Sequence, residues 1–226
     1  MSQLKVQTDY NGMRKKIYAP LREEGIFTWD TMYQEEYALA TIKEVTGSFI
    51  REIREAAFQL GKIFAKAARM IQTGSDELLQ ALGLPSETWS TVRLAVDHSL
   101  PTIVGRFDFA KTPKGLKMLE FNSDTPSGIV EAYYVNQKVC QYFGLLDPNH
   151  DCRDHIRLAF EHAIRLYRQL GYPVDHICFT SLDWHIEDRG TTEYLMDESG
   201  LLSTFIPLSQ LAVHKDGLFA FDKRTR

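Results

Sequence analysis

The spacing of the apolar residues changes near Ile103, and this change constrains the fold more than any other feature of the sequence. From Phe49 to Ile71 apolar residues recur at steps of three and four, with Arg, Glu and Lys between them, which predicts an amphipathic helix. Beyond it, "TIVGRFDF" and "LKMLEFN" alternate apolar and polar residues, as strands do. The chain therefore combines helices and strands, and we expect an α/β fold.

The segments around the long helix also have helical spacing. "TMYQEEYALATIKEVTG" (31–47) precedes it, and "SDELLQALG" and "PSETWSTVRLAVDHS" follow it with Ser or Asp starts and a Gly or Pro stop. Further helices are predicted over about 128–143 and 153–170, with Asp151 as the N-cap of the second. The sequence thus predicts a helical layer over about residues 1–100.

The remaining segments complete a mixed pattern. "HICFTSL" is predicted as a buried strand, "TTEYLMDES" as a helix, "LLSTFIPL" as extended, and "LAVHKDGLFAF" as a hairpin that turns at Asp216-Gly217. No Pro-, Gly- or Ser-rich linker divides the chain. We therefore expect residues 1–226 to form a single α/β domain, in which the helical N-terminal layer packs on a mixed β-sheet with helices over about 101–226 and a central β-hairpin.

Composition narrows the possible partners. The formal charge is −4 and acids and bases are interspersed, which favours neither nucleic acid nor a membrane surface. The N-terminus has no apolar signal region and no run reaches the ~18 apolar residues of a membrane span, so we expect a cytoplasmic protein. The cysteines Cys140, Cys152 and Cys178 are odd in number and lack C-x-x-C spacing, which indicates neither a disulfide framework nor a zinc site.

The predicted hairpin has one polar face. With a turn centred near Lys114, the alternation places Asp108 opposite Glu120 and Arg106 opposite Asn122, while Phe107, Phe109, Leu119 and Phe121 share the other, core-facing side. Two carboxylates that face each other repel, by roughly 0.2–1 kcal/mol, unless something positive lies between them. Two acids, an Arg and an amide oxygen suit Mg²⁺ and phosphate, and a merely solvated polar face is the alternative.

The residues after Asn122 favour a Mg²⁺-phosphate site over a merely solvated polar face. In "SDTPSG", Pro126 suits the first helical position and Thr125 the N-cap, so the amides of Ser127 and Gly128 would bind an anion. Such a constellation suits phosphoryl transfer or carboxylate activation. Neither G-x-x-x-x-G-K-[ST] nor G-x-G-x-x-G occurs, which argues against a Walker-type or Rossmann-type phosphate site.

These residues resemble a known signature. "GRFDF" followed by "KMLEFNSDTPSG" is similar to the R-x-D…E-x-N-x-D-[TS]-x-[ST] pattern of the glutathionylspermidine synthase family, and "YQEEYAL" and "FTSLDWHIED" fit it more loosely. The resemblance implies an ATP-grasp-like fold and an ATP- and Mg²⁺-dependent ligase that joins a carboxylate to an amine through an acyl phosphate. Glutathione and the polyamine spermidine are the family's default substrates.

The resemblance also implies roles for single residues. Asp108, Glu120 and Asn122 would bind Mg²⁺, with Asp108 also touching the nucleotide. Arg106 would be catalytic and would contact both the nucleotide and the substrate carboxylate. Thr125 and Ser127 would bind glutathione. Glu187 and Asp188, in a predicted acidic loop, would bind the amine, although a solvated acidic loop is the alternative there.

The resemblance leaves the extent of the protein open. Family members continue into a nucleotide-holding lid segment, so we expect this chain to be the N-terminal portion of a longer ATP-grasp ligase, incomplete for catalysis alone. The alternative function is a binding or scaffold module that keeps the fold without catalysis.

Overall fold

The computed structural model describes residues 2–94, 102–152, 154–214 and 217–220. These residues form helices and short strands, which in chain order are α1 (Ser2–Glu24), β1 (Thr31–Met32), β2 (Glu35–Glu36), α2 (Gly47–Gln72), α3 (Asp76–Ala81), α4 (Trp89–Val92), β3 (Arg106–Thr112), β4 (Gly115–Asn122), α5 (Asn136–Phe143), α6 (Asp154–Gln169), β5 (Ile177–Phe179), α7 (Ile186–Ser199), β6 (Ser203–Phe205), β7 (Leu211–His214) and β8 (Gly217–Ala220). A π-helical turn, Glu131–Val135, leads into α5, and 3₁₀ turns cover Ser86–Thr88 and Leu208–Gln210.

The mixture of helices and strands agrees with an α/β fold, but the single mixed sheet does not form among the described residues. The strands there pair as four separate two-stranded sheets, β1-β2, β3-β4, β5-β6 and β7-β8. The β5-β6 pair is parallel and the other three are antiparallel. Most of these strands are only two to four residues long, so each can form few ladder hydrogen bonds.

The long helix is confirmed as α2, and its start is fixed by a cap. The Thr46 side chain accepts a hydrogen bond from the Phe49 amide, and Ser75 caps α3 in the same way through the Leu78 amide. The helix predicted over 85–99 is confirmed in part, as a 3₁₀ turn followed by α4, while residues 95–99 lie outside the described part of the chain. The strand and helix predictions after residue 170 are confirmed by β5, α7, β6, β7 and β8, with residue 216 of the last turn outside the described residues. The strand β5 is not buried as predicted, since Cys178 at its centre is exposed.

The helix predicted over 31–47 is wrong. Tyr33 and Gln34 have φ values of 51° and 67°, which turn the chain into the β1-β2 hairpin. The amides of Tyr37 and Ala38 then both donate to the Asp30 carbonyl. The apolar side chains that suggested a helix are exposed, 84% for Tyr33 and 60% for Leu39, so their spacing does not mark a buried face.

Helix α1 has no strong apolar periodicity; it lies in the helical layer predicted over about residues 1–100 but was not predicted as an individual helix. Where burial is described, from Asp9 onward, the buried residues of α1 are Ile17, Tyr18 and Leu21, near its C-terminal end. Arg14 and Arg22 of this helix each form a 2.6 Å ion pair with Asp30, which is 1% exposed. A buried carboxylate needs such pairing, so the two arginines fix the helix to the loop that follows it.

Contacts between residues divide the chain into two compact units. One unit comprises Met1–Ile42, Ser127–Glu161 and Val174–Arg226, and the other comprises Lys43–Pro126 and His162–Pro173. The single domain expected from the sequence stays a prediction. Helices in the described residues include none that is both long and apolar enough to cross a membrane.

The first unit is packed around Trp29. This side chain is 1% exposed, and the centroid of its ring lies 4.6 Å from the ring centroid of Phe27. Gly190 of α7 faces the same indole, because a Cβ atom at Gly190 would lie 2.2 Å from a Trp29 ring carbon. Only glycine therefore permits α7 to approach the indole this closely.

We predict that Gly190→Ala destabilises the protein by about 1–3 kcal/mol, because the buried indole has no room to move aside. Gly61→Ala is the matched control: Gly61 lies inside α2, and an added Cβ meets no atom within 4 Å. There, helix propensity predicts stabilisation by about 1 kcal/mol. Thermal unfolding followed by circular dichroism measures both changes. Equal effects of the two substitutions would contradict this packing.

Candidate functional site

The β3-β4 hairpin has the register that the alternation predicted. Arg106 lies opposite Asn122 and Asp108 lies opposite Glu120. Since directly opposed residues of an antiparallel pair share a face, these four side chains stand together on one side of the ribbon. The polar face expected from the sequence is therefore present as a structural feature.

A β-bulge interrupts the hairpin beside this polar face. The register shifts between Asp108 and Phe109, so Phe109 pairs with Met118 and Leu119 becomes the extra residue. Leu119 is 68% exposed. The prediction that it shares the buried face is wrong, because the bulge breaks the period of two at this position.

The apolar face of the hairpin is held by stacked rings. Phe107 and Phe121 stack with centroids 4.3 Å apart, and Phe64 of α2 packs on Phe121 at 4.6 Å. Such ring pairs contribute roughly 0.5–1.5 kcal/mol beyond their buried area. Gly105 completes the contact, since a Cβ there would lie 2.7 Å from the Phe121 ring. The stacked rings thus hold the hairpin in place from the face opposite the polar side chains.

Arg106 pairs with both facing carboxylates. Its Nε donates to Asp108 Oδ1 at 2.7 Å and its Nη2 to Oδ2 at 3.1 Å, and the same Nη2 lies 3.5 Å from Glu120 Oε1. This bidentate hydrogen bonding holds the pKa of Asp108 below its ordinary value. The side chains remain within reach of solvent and of a ligand, with Asp108 37% and Glu120 59% exposed.

The donor atoms on this face suit a hard cation. Asp108, Glu120 and Asn122 offer only oxygen ligands, which Mg²⁺ prefers, and their partial exposure leaves room for its waters and for phosphate. Groups of three or more His, Cys, Asp and Glu that could hold a metal are not found among the described residues. A Mg²⁺ ion on this face would therefore use two carboxylates and one amide.

The helix start predicted at Thr125 is wrong. In this segment the helical residues begin at Ile129, and the Gly128 carbonyl accepts the hydrogen bond from the Ala132 amide. Gly128 has φ of +83°, a left-handed conformation in which the chain cannot continue a helix backwards. Thr125 is exposed and Ser127 half-buried, and both lie in the connection rather than in a helical turn.

Two predictions for other segments need correction. Glu187 and Asp188 lie in the first turn of α7, not in a loop, because His185 acts as N-cap and starts the helix before them. Asp151 is not adjacent to α6, which begins at Asp154, and its carboxylate instead lies 2.8 Å from His150 Nε2.

The acidic pair of α7 is divided between different partners. Asp188 Oδ1 lies 3.2 Å from His185 Nδ1, and the Asp188 amide lies 3.3 Å from the same nitrogen, so a protonated ring pairs with the carboxylate and a neutral ring accepts from the amide. Glu187 Oε1 accepts a hydrogen bond from the Tyr37 hydroxyl at 3.1 Å. The two carboxylates therefore have separate partners and do not form a single pair.

A second polar cluster in the first unit was missed by sequence reasoning. Trp29 Nε1 donates to Glu131 Oε1 at 3.0 Å, and the charges of Glu131 and Glu187 both act on the Tyr37 hydroxyl. Burial, followed by these two negative charges, raises the pKa of Tyr37. The cluster brings together residues more than a hundred positions apart in the chain. The only sequence signal for it is that Glu131 closely follows the "SDTPSG" segment.

Comparisons with known proteins identify similar sequences. A family model described as "Glutathionylspermidine synthase preATP-grasp" matches residues 10–226. Trypanothione synthetase from Crithidia fasciculata is 32% identical over 89 residues, which cover 38% of this chain and 14% of that protein. A Haemophilus influenzae protein named "putative acid–amine ligase" is 35% identical over 101 residues, which cover 43% of this chain and 24% of that protein. The chain thus aligns with less than a quarter of either curated relative.

We predict that Arg106→Gln raises the pKa of Asp108, because the charge-assisted hydrogen bonds that lower it are lost. A carboxylate with a lowered pKa stabilises the fold above its unfolded-state pKa, and this contribution disappears as the pH falls through the folded-state value. The variant should therefore lose less stability on acidification than the parent. A ¹³C NMR titration of the Asp108 carboxyl measures the shift, with Lys117→Gln as a hairpin control. An unchanged pKa in Arg106→Gln would contradict the ion pair.

Proposed function

The chain belongs to the glutathionylspermidine synthase preATP-grasp family, and from this membership we propose that it is the Mg²⁺- and substrate-binding part of an ATP-dependent carboxylate–amine ligase. The observation that carries the proposal is the hairpin register, which sets Asp108 opposite Glu120 and Arg106 opposite Asn122. The two relatives, one a synthetase and one named as an acid–amine ligase, support it. An ATP-grasp-like fold for the complete protein is part of the same proposal.

The proposed reaction has two steps. A carboxylate oxygen of the acid attacks the γ-phosphorus of ATP, the bond to the bridging oxygen breaks, and ADP leaves with the formation of an acyl phosphate. The nitrogen of the amine then attacks the acyl carbon, inorganic phosphate leaves, and the nitrogen gives up a proton to form the amide. One ATP is consumed for each amide bond formed.

The hairpin would bind the phosphates for the first step. Mg²⁺, when bound, neutralises phosphate charge. Asp108, Glu120 and Asn122 would hold the ion through oxygen atoms, with Asp108 also near the nucleotide. Since phosphoryl transfer depends mainly on positioning and charge stabilisation, a rigid ribbon backed by stacked rings suits this role.

Arg106 would be the catalytic cation. In this structure its guanidinium pairs with Asp108 and Glu120 and offsets one of their two negative charges. Once a divalent ion binds these carboxylates, the guanidinium would contact the transferring phosphoryl group and the substrate carboxylate, which a planar fork binds well. The same residue would therefore balance the charge of the site in both situations.

The substrates follow from the family and are proposed accordingly. Thr125 and Ser127 would bind glutathione through their hydroxyls, and Glu187 and Asp188 would bind the amine, with spermidine as the default. Carboxylates are suitable partners for an ammonium group. The names of the two relatives, a trypanothione synthetase and an acid–amine ligase, are compatible with such substrates.

A binding module without catalysis is the second candidate. The observation that favours it is the ion pairing of Arg106, which contacts both carboxylates in the absence of a bound cation. A protein that kept the fold but not the reaction could retain this arrangement unchanged. The two candidates differ in whether ATP is turned over.

We predict that the full-length protein releases phosphate from ATP only when Mg²⁺, glutathione and a polyamine are all present. Glu120→Gln and Asp108→Asn should each lower kcat by on the order of a hundredfold or more, because they remove charge that stabilises the transferring phosphoryl group. Lys117→Gln, on the same hairpin, should retain activity. Phosphate release and amide formation, followed by mass spectrometry, are the measurements.

The outcomes separate the two candidates. Turnover that requires both substrates and is lost in Glu120→Gln supports the ligase. Binding of glutathione or polyamine with no ATP turnover under any condition supports the binding module. Full activity in both carboxylate variants would overturn the assignment of the hairpin.

A further inference from the structure

The open end of the β3-β4 hairpin is held by a side chain as well as by its ladder. Arg106 and Asn122 form the outermost pair of that ladder, at the end opposite the turn. The Thr102 hydroxyl, from the segment that leads into β3, donates to the carbonyl oxygen of Ser123 at 3.1 Å, and Ser123 directly follows Asn122. This contact joins the two strands one step beyond their last pair.

The end of a two-stranded ribbon is where the ribbon opens first. Among the described residues β3 and β4 form a sheet of their own, so no further strand there holds the last pair. Strand ends open locally at little cost in free energy. The pair that such opening disturbs contains Arg106 and Asn122, which are half of the polar face. A tether at Ser123 therefore acts on the part of the candidate site that the ladder holds least.

The methyl group of Thr102 fixes the direction of its hydroxyl. A Cβ atom at Gly105 would lie 3.0 Å from the Thr102 methyl carbon and 2.7 Å from the Phe121 ring, so the methyl group lies close to Gly105 and beside that ring. Branching at Cβ restricts χ1, and one substituent determines where the other points. The methyl contact thus directs the hydroxyl toward the backbone of the hairpin end.

The Thr102 hydroxyl has one proton and two acceptors. The Val104 carbonyl oxygen lies 2.7 Å from Thr102 Oγ1 and the Ser123 carbonyl oxygen lies 3.1 Å from it, so the proton is shared between a local bond and the tether. When the tether opens, the hydroxyl keeps Val104 as its partner, and the exposed Ser123 can turn its carbonyl to water. The tether can therefore open and re-form without leaving a polar group unpaired.

We propose that Thr102 is a positioning residue of the candidate site, and that its hydroxyl keeps Asn122 opposite Arg106 by holding the residue after Asn122. The inference rests on the proposed function for the role of Asn122 as a cation ligand. Thr102 lies outside the two strands, and its hydroxyl acts through the Ser123 backbone rather than on a ligand. Its loss should therefore weaken the binding of a cation more than it slows a reaction step.

The turn end of the same ribbon supplies a matched control. The Thr112 hydroxyl donates to the Gly115 carbonyl at 2.8 Å and accepts from the Lys114 amide at 3.1 Å. At roughly 3.3 Å per residue, Thr112 lies about 20 Å along the strand from Arg106. A change of Thr to Val at either end removes the bonds of one hydroxyl from the ribbon, but only Thr102 lies at the end that carries Asn122.

The first measurement is hydrogen exchange of the full-length protein without metal or nucleotide, followed by mass spectrometry. Opposed residues alternate between hydrogen-bonded and non-hydrogen-bonded pairs, so one of the two pairs nearest the open end has protected amides. Thr102→Val should speed exchange there by about fivefold, the effect of one lost net hydrogen bond. Thr112→Val should speed exchange only beside the turn. Equal effects of both variants at the open end would overturn the proposal, as would no effect of Thr102→Val.

The second measurement titrates MgCl₂ into the full-length protein labelled with ¹⁵N-asparagine and follows the side-chain amide signal of Asn122. Thr102→Val should raise the Mg²⁺ dissociation constant by about fivefold, again through one lost hydrogen bond. Thr112→Val, which weakens the same ribbon at its other end, should leave the constant unchanged. Thr102→Ser keeps the hydroxyl and should restore most of the affinity.

Each outcome of the titration decides the role of Thr102. Unchanged Mg²⁺ affinity in Thr102→Val would overturn the proposal, because Thr102 would then serve only the stability of the ribbon. A loss in Thr102→Ser as large as in Thr102→Val would overturn it too, and so would an Asn122 signal in the parent protein that does not respond to Mg²⁺. Because neither measurement involves turnover, failure here is distinct from failure of the ligase, which phosphate release by the hairpin variants tests.

Discussion

The stacked pair Phe107–Phe121 determines which residues of the hairpin face one another. Side chains alternate between the two faces of a strand, so a shift of one residue would move every polar group of the ribbon to the opposite side. The rings lie 4.3 Å apart on opposed strands, and Phe64 of α2 covers them. The order of Arg106, Asp108, Glu120 and Asn122 on the polar face depends on this contact.

The two acidic sites differ in how their charge is balanced. On the hairpin, one guanidinium pairs with both carboxylates at the surface, where its position can change when a cation or a phosphate arrives. In the first unit, Glu131 and Glu187 are held by neutral donors, an indole N–H and a phenol O–H. Neutral donors orient a carboxylate without cancelling its charge, and that charge is what attracts a cation.

The sequence predicted the features that depend on local alternation, and it missed those that depend on distant packing. The register of β3-β4 followed from the period of two and the length of the turn, and α2 followed from its apolar stripe. The bulge at Leu119 left no sign in the spacing. The helix predicted over 31–47 failed because the spacing of apolar residues does not reveal which of them are buried, and Tyr33 is 84% exposed. Glu131 escaped notice because its partner Trp29 lies a hundred and two positions away.

The ring contact between α2 and the hairpin has a consequence for motion. A two-stranded ribbon is marginally stable alone, so the geometry of its polar face depends on the helix behind it. Local opening proceeds in cooperative units, and these rings place the hairpin and α2 in the same one. The backbone amides that carry Asp108 and Glu120 should then exchange with solvent at the rate at which α2 releases Phe64. The contact of Phe64 with the two hairpin rings should thereby limit how long the polar face persists.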